Sequence, residues 1–133
     1  MFCIYCRHSR TQVTNSRPHK RLPTIWRRRR CPQCHHIFTT IERPDLNNSF
    51  VSIDGVERPF NIGRLIISIA HSFQHDRIKG IAHASSLADT VMSHLAQYDA
   101  VDTEIIKRQT YEVLMRFDES AATAYGLQHK MNG

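Results

Sequence analysis

Two Cys-x2-Cys pairs near the N-terminus constrain this chain more than any other feature of its sequence. All four cysteines fall within the first 34 residues: Cys3, Cys6, Cys31 and Cys34. In each pair, one tight turn can direct two thiolates at a single ion, and two such turns complete a tetrahedral sulfur shell. Because four protein ligands leave no open coordination position, the pattern predicts a structural Zn2+ site and not a catalytic one.

The same cysteines are compatible with other chemistry. A redox-active Cys-x2-Cys pair usually occurs once, on a thioredoxin-like unit, whereas this chain has two pairs. Four thiolates can also hold an iron–sulfur cluster. His35 and His36 follow Cys34 and are alternative ligands, although four cysteines already suffice. Clustered cysteines in an intracellular chain favour a metal over disulfides. Among the possible metals, zinc is the favoured interpretation.

The segment that contains the cysteines has no helical apolar periodicity. Short extended runs fit it better, and we expect strands at residues 11–15, 24–30 and 37–41. Few apolar residues are available to form a core, so the segment needs a metal to fold. We therefore predict a four-cysteine zinc ribbon, a small β domain, over residues 1–43.

Positive charge is concentrated in this same segment. Residues 1–43 hold ten Lys or Arg and one acid, for a net +9, whereas residues 44–133 hold eight and eleven, for a net −3. The two values account for the total of +6. Guanidinium groups bind phosphates and guanine edges in a bidentate way, so the segment is predicted to contact double-stranded DNA. The candidate DNA-binding residues are Arg17, Arg27, Arg28, Arg29 and Arg30.

In an extended strand the side chains of a four-arginine run alternate between two faces, so one face alone can enter a groove. The alternative for the run is a solvated basic surface with no specific target. Its position directly before Cys31 ties it to a rigid metal turn, which favours a binding surface.

The rest of the chain predicts a hairpin followed by helices, which makes the fold class α+β. Residues 44–48 are expected to be a linker, and residues 49–133 a second domain. Extended runs at 49–53 and 56–60 flank Asp54-Gly55, a strong hairpin signal. Apolar stripes predict three to four helices. They are a first helix that follows an Asn61 cap and runs to Phe73, a second that begins near Ser86, a third that begins near Asp102 or Thr103, and a short fourth at residues 120–130.

Several functional classes lack support in the sequence. No apolar run approaches the ~20 residues of a membrane span, and the N-terminus has no signal-peptide pattern. We therefore expect a soluble cytoplasmic protein. No paired carboxylates beside a histidine, no Gly-rich phosphate loop and no nucleophile signature are present, so we do not expect an enzyme.

Four motifs in the first 43 residues are specific when taken in combination. They are M-F-C-I-Y-C at the start, N-S-R at residues 15–17, W-R-R-R-R-C-P-Q-C at 26–34, and F-T-T-I-E-R at 38–43. With this cysteine spacing the segment resembles the NrdR family, bacterial transcriptional repressors of ribonucleotide reductase genes. Residues 50–61, F-V-S-I-D-G-V-E-R-P-F-N, resemble the start of an ATP-cone, the nucleotide-sensing domain that follows the ribbon in that family.

The resemblance implies a repressor that binds a promoter operator through its ribbon. An ATP-cone-like domain would sense ATP against dATP and control homo-oligomerisation, so that the two sites are coupled. By position in the motif, the residues implied for nucleotide binding are Val51, Ser52, Arg58 and Arg64.

The sequence also departs from the family pattern. Asn15 stands where the family usually has Asp, Ser52 replaces a lysine, and Arg58 replaces a glutamate. Gly63-Arg64-Leu65 replaces Glu-Lys-Leu, and the helical part is shorter at its C-terminal end. The alternative is therefore a DNA-binding regulator with a degenerate cone that no longer binds nucleotide and serves only in oligomerisation.

Overall fold

The computed structural model describes residues 1–45 and 50–131. The chain divides into two compact units, Met1–Asp45 and Leu46–Gly133, which are described separately. Most of the expected linker, residues 44–48, lies outside the described residues. No helix in the described ranges has the length and apolar character that a membrane span requires.

The first unit is a three-stranded antiparallel sheet. Its strands are β1 (Gln12–Pro18), β2 (Ile25–Arg30) and β3 (Ile37–Glu42), with β2 in the centre. All three expected strands are confirmed, and β1 extends three residues further than the pattern indicated. The pairing of β1 with β2 shifts register between Val13 and Asn15. Cys3 and Cys6 lie in a turn before β1, and Cys31 and Cys34 lie in the turn that connects β2 with β3.

The apolar core of the first unit is very small. It contains Cys3, Cys31 and Phe38, with Cys34 packed against them half-buried. A cluster of this size buries too little apolar surface to offset the conformational entropy that folding costs. The stability of the first unit therefore depends on a link between its thiols.

The second unit begins with a short hairpin. Strands β4 (Phe50–Ile53) and β5 (Val56–Pro59) pair around Asp54 and Gly55, which have φ angles of 52° and 78°. Two successive residues with positive φ define the turn that matches the twist of a hairpin, which explains the Asp-Gly pair. A third strand, β6 (Val101–Asp102), pairs with β4 in parallel and was not predicted, because two residues carry no periodicity.

Four helices complete the second unit: α1 (Ile62–His71), α2 (Arg77–Leu95), α3 (Thr103–Phe117) and α4 (Glu119–Gln128). Each begins after a cap whose side chain accepts a hydrogen bond from the backbone N–H three residues on. The caps are Asn61, Asp76, Asp102 and Asp118. The predicted cap at Asn61 and the predicted start of the third helix are confirmed.

The predicted start of the second helix was wrong. It begins at Arg77, and Ser86 lies inside it, where its hydroxyl donates to the carbonyl of His83. The first turns of α2 present small residues, Gly80 and Ala84, to the core, so they show no bulky apolar stripe. The predicted first helix also ran too far, because α1 ends at His71 and Phe73 is buried in the turn that follows.

The four helices share one apolar core. Its most buried members come from every helix and from the turn after α1: Ile69, Phe73, Ala88, Val91, Leu114, Ala121, Ala122 and Tyr125. Phe60 and Val101 pack against its edge. The predicted α+β class, a small β ribbon followed by a hairpin and helices, is confirmed.

Candidate functional site

The four cysteine sulfurs of the first unit converge on one point. Sγ of Cys3 lies 3.6 Å from Sγ of Cys34, Sγ of Cys6 lies 3.6 Å from Sγ of Cys31, and all four sulfurs lie within 4.8 Å of one another. A zinc ion with Zn–S bonds of about 2.3 Å at tetrahedral angles requires sulfurs about 3.8 Å apart. The arrangement therefore fits a closed tetrahedral metal site.

Two turns of the same geometry hold these thiols. In the first, the N–H of Arg7 donates to the carbonyl of Cys3 at 3.0 Å, and in the second the N–H of His35 donates to that of Cys31 at 3.1 Å. Arg7 and His35 have φ angles of 64° and 62°. The repeated conformation explains the equal spacing of the two cysteine pairs, since each turn directs both of its thiols to one side.

The two thiols of the second turn differ: the pKa of Cys34 is raised to about 12 by burial and by the neighbouring cysteines, whereas Cys31 favours the thiolate form that binds metal. Burial opposes ionisation of Cys31, but the N–H groups of Cys34 and Gln33 and the thiol of Cys6 outweigh it and lower the pKa of Cys31 to about 6. His35 and His36 are not members of the cluster, and the ring of His36 stacks on Tyr5 at 4.5 Å. Among the described residues, four sulfurs alone form the site.

The four consecutive arginines lie on the central strand β2 and alternate between its faces. We call the inner face the one that carries Arg27, Arg29 and Phe38, because Phe38 is buried there beside the cysteines. The outer face carries Arg28 and Arg30, which are exposed. Arg17, opposite Trp26 in the register, belongs to the outer face as well.

The two faces differ in the partners of their arginines. On the inner face, Arg27 forms an ion pair with Glu42, and Arg29 donates to the hydroxyls of Thr40 and Thr11, each at 3.4 Å. Arg17, Arg28 and Arg30 make no side-chain hydrogen bond or ion pair with any residue in the described ranges. Of the five candidate arginines, these three are free to bind a ligand.

The second unit contains a cleft of about 790 Å³ between the hairpin, α1, α3 and the end of α4. Three of the four residues implied for nucleotide binding line it: Val51, Arg58 and Arg64. Ser52 does not, and instead lines a separate cleft beside Tyr98 and Asp99. The structure thus places both implied cations, Arg58 and Arg64, on one cleft, whereas Ser52 lines another.

Two cationic or titratable residues of the cleft were missed in the sequence. Lys107, on α3, and His129, at the end of α4, lie on its wall. Nε2 of His129 is 2.7 Å from the hydroxyl of Ser68, and burial together with the charge of Lys107 lowers the pKa of His129. No local pattern marks either residue, because they meet the hairpin only through tertiary packing.

Comparisons with known proteins agree with this geometry. Residues 1–42 match the model of the N-terminal domain of transcriptional repressor NrdR-like proteins. Proteins named transcriptional repressor NrdR are similar over different lengths. The one from Paraburkholderia phytofirmans is 44% identical over 70 residues, 52% of this chain and 44% of that protein.

Two further relatives of the same name match over more of the chain. The one from Koribacter versatilis is 32% identical over 122 residues, 76% of this chain and 75% of that protein. The one from Fervidobacterium nodosum is 27% identical over 133 residues, 98% of this chain and 86% of that protein. With Paraburkholderia phytofirmans, by contrast, the match spans less than half of the relative's length. The match that covers three quarters of a relative at 32% identity shows that this chain belongs to the NrdR family.

Proposed function

We propose that this protein is a DNA-binding transcriptional repressor of the cytoplasm and not an enzyme. The observation that carries the proposal is the outer face of the ribbon, where Arg17, Arg28 and Arg30 are exposed and their guanidinium groups make no hydrogen bond or ion pair with a described residue. The relatives named transcriptional repressors support it.

The metal in this proposal is structural Zn2+. Cys3, Cys6, Cys31 and Cys34 would hold it as thiolates, and their convergence fits its tetrahedral preference. When bound, the ion supplies no reaction chemistry, since all of its positions are filled by protein. It fixes the two turns that carry the strands, and so it sets the direction of the arginines on β2.

DNA contact through the outer face has a quantitative signature. Each arginine that neutralises a phosphate releases counterions, so the logarithm of the binding constant falls with the logarithm of salt by about 0.9 per contact. Three arginines per protomer give a slope of roughly −2.7. Because one small ribbon spans few base pairs, we propose that a homo-oligomer binds a repeated operator site.

Removing single arginines tests this part of the proposal. In anisotropy titrations with a labelled duplex, Arg28→Ala and Arg30→Ala should each weaken binding and flatten the salt slope by about 0.9. Arg27→Ala is the matched control, because its guanidinium is already paired with Glu42 on the inner face. Equal loss in the control and in the outer-face variants, at unchanged zinc content, would count against the assigned face.

The cleft of the second unit is proposed to bind ATP or dATP and so to control assembly. Arg58, Arg64 and Lys107 line one largely apolar cleft, which suits a polyphosphate attached to a purine; a phosphate would compete with the carboxylate of Glu104, to which Lys107 donates at 3.0 Å. The second candidate is a degenerate cone that serves only in oligomerisation. Ser52 supports this alternative, since it adds no charge and lines another cleft. The presence of three cations on one cleft favours nucleotide binding.

Calorimetric titration with ATP and with dATP separates the two candidates. Binding should be lost or weakened in Lys107→Ala and retained in Arg108→Ala, a neighbouring exposed cation on α3 that does not line the cleft. The mass in solution, measured by light scattering with each nucleotide, reports assembly. Absence of heat and of any mass change with both nucleotides would favour the degenerate cone and leave the DNA-binding proposal standing.

A further inference from the structure

An irregularity in β1 changes which of its side chains share the outer face. Gln12 and Asn15 are three residues apart, and in a regular strand they would point to opposite faces. The register shift between Val13 and Asn15 inserts one extra residue, so Gln12 pairs with Arg30 and Asn15 pairs with Arg28. The hydroxyl of Thr14, within the shift, donates to the carbonyl of Arg28 at 3.2 Å. Both amides therefore lie beside the outer arginines.

The rows of the outer face run across the three strands. One row contains Asn15, Arg28 and Thr39, and the next contains Gln12, Arg30 and Ile37. All six residues are exposed. Strands lie about 4.8 Å apart, so each row is roughly 10 Å wide. The major groove of B-DNA is about 12 Å wide and admits a two-stranded ribbon, so β1 and β2, which carry the amides and the free arginines, are of a size to enter it.

We infer that Asn15 and Gln12 read adenine in the DNA sequence, while Arg28 and Arg30 beside them hold the backbone. An amide side chain has a donor and an acceptor, and it forms two hydrogen bonds with N6 and N7 of adenine in the major groove. Neither side-chain amide makes a hydrogen bond with another described residue, so both are free to bind a base. This inference rests on the proposed DNA-binding function and assigns its sequence specificity to two residues.

The opposite face offers no equivalent pair. There β1 presents Val13 and Ser16, across from Arg29 and Arg27, whose guanidinium groups are already engaged by Thr40 and Glu42. A short hydroxyl and an apolar side chain do not discriminate bases by a bidentate contact. The amides and the free arginines thus occur together on one face only of the described sheet.

Selection from a random duplex pool tests the inference with the full-length, zinc-loaded chain. The wild type should enrich a site with A·T pairs at two fixed positions. Asn15→Ala should lose the adenine preference at one position by about fivefold or more, and Gln12→Ala at the other, with affinity for random duplex within about twofold. Ser16→Ala, on the inner face, is the control and should select the same site as the wild type.

A different substitution at position 15 provides an independent test. Asn15→Asp leaves only acceptors, so the preference at its position should move from adenine towards cytosine, whose N4 amino group is a donor. The inference is overturned, and DNA binding stands, if the wild type binds duplex without selecting any sequence. It is also overturned if Asn15→Ala, Asn15→Asp and Gln12→Ala all select the same sequence as the wild type. If the wild type binds no duplex at all, the proposed function fails first.

Discussion

The carboxylate of Asp118 joins three parts of the second unit. One oxygen accepts from Nζ of Lys79 at 2.7 Å and from Nε2 of His75 at 3.1 Å, and the other accepts from the N–H of Ala121 at 3.0 Å. The ammonium of Lys79, then the Ala121 amide and His75, hold the pKa of this carboxyl well below its usual range. Asp118 thus caps α4 and anchors the start of α2 to it.

This lowered pKa has a defined effect on stability. A carboxyl with a depressed folded pKa stabilises the fold above its unfolded pKa, about 3.9, and loses that contribution as the pH falls towards the folded value. Asp118→Asn should lower the free energy of unfolding by about 1–2 kcal/mol at pH 7, and the difference from wild type should shrink below pH 4. Urea titrations across pH measure it, with Asp99→Asn, an exposed aspartate, as the control. An equal loss at all pH values would contradict the ion-pair origin.

Gly80 of α2 packs tightly against the end of α1 and the turn that follows it. A Cβ built there would lie 2.6 Å from Cβ of Phe73 and 3.2 Å from the carbonyl oxygen of Ala70. Phe73 is fully buried and the carbonyl belongs to the backbone, so neither can move aside cheaply. The close contact explains why a glycine stands inside a helix, where it normally weakens the structure.

Substitution of this glycine should therefore be costly. Gly80→Ala is expected to destabilise the second unit by about 1–3 kcal/mol through overpacking, despite the better helix propensity of alanine. Gly126→Ala in α4 is the matched control, because its Cβ would meet only the Tyr111 ring at an ordinary 3.5 Å. Thermal unfolding followed by circular dichroism should show a lower Tm for the first variant and an unchanged or higher Tm for the second. The reverse order would refute the close approach.

At this scale the sequence predicted some of the elements whose geometry one residue type dictates. Asp54-Gly55 marked the hairpin because it requires positive φ, and Asn61 marked the start of α1 because its side chain caps the helix, whereas the equivalent caps Asp76 and Asp118 were missed. The start of α2 was missed because its core contacts are made by small residues. In the site, spacing sufficed to predict the four cysteines. The extra residue in β1, which moves Gln12 and Asn15 to the same face, depends on strand pairing. The approach of Lys107 and His129 to the hairpin depends on tertiary packing. No local sequence pattern contains either.

The two units differ in what holds them together. The first has three buried residues, two of them metal-ligand candidates, whereas the second has a core drawn from all four helices. Chelation of zinc should therefore unfold residues 1–45 and leave the helices intact. Hydrogen exchange should lose its protection in β1–β3, while the circular dichroism signal at 222 nm is nearly unchanged.

A single substitution should reproduce this effect. Cys31→Ser removes a buried ligand, so the variant should lose bound zinc and DNA binding while the helical signal persists. His36→Ala is the control, since its ring stacks on Tyr5 outside the cysteine cluster, and it should keep one zinc per chain. Full zinc stoichiometry in Cys31→Ser would contradict the four-cysteine site.

The parallel pairing of β4 with β6 has a consequence for how the protein is made. Val51 and its neighbour Val101 are fifty residues apart, so during synthesis on the ribosome β4 and β5 emerge long before their third strand. A lone two-stranded hairpin is marginally stable in water. The nascent hairpin therefore becomes stable only after α1 and α2 have been synthesised. The cleft that it shares with α3 and α4 is completed last. A ribosome-bound intermediate would carry a finished ribbon before the cleft of the second unit had formed.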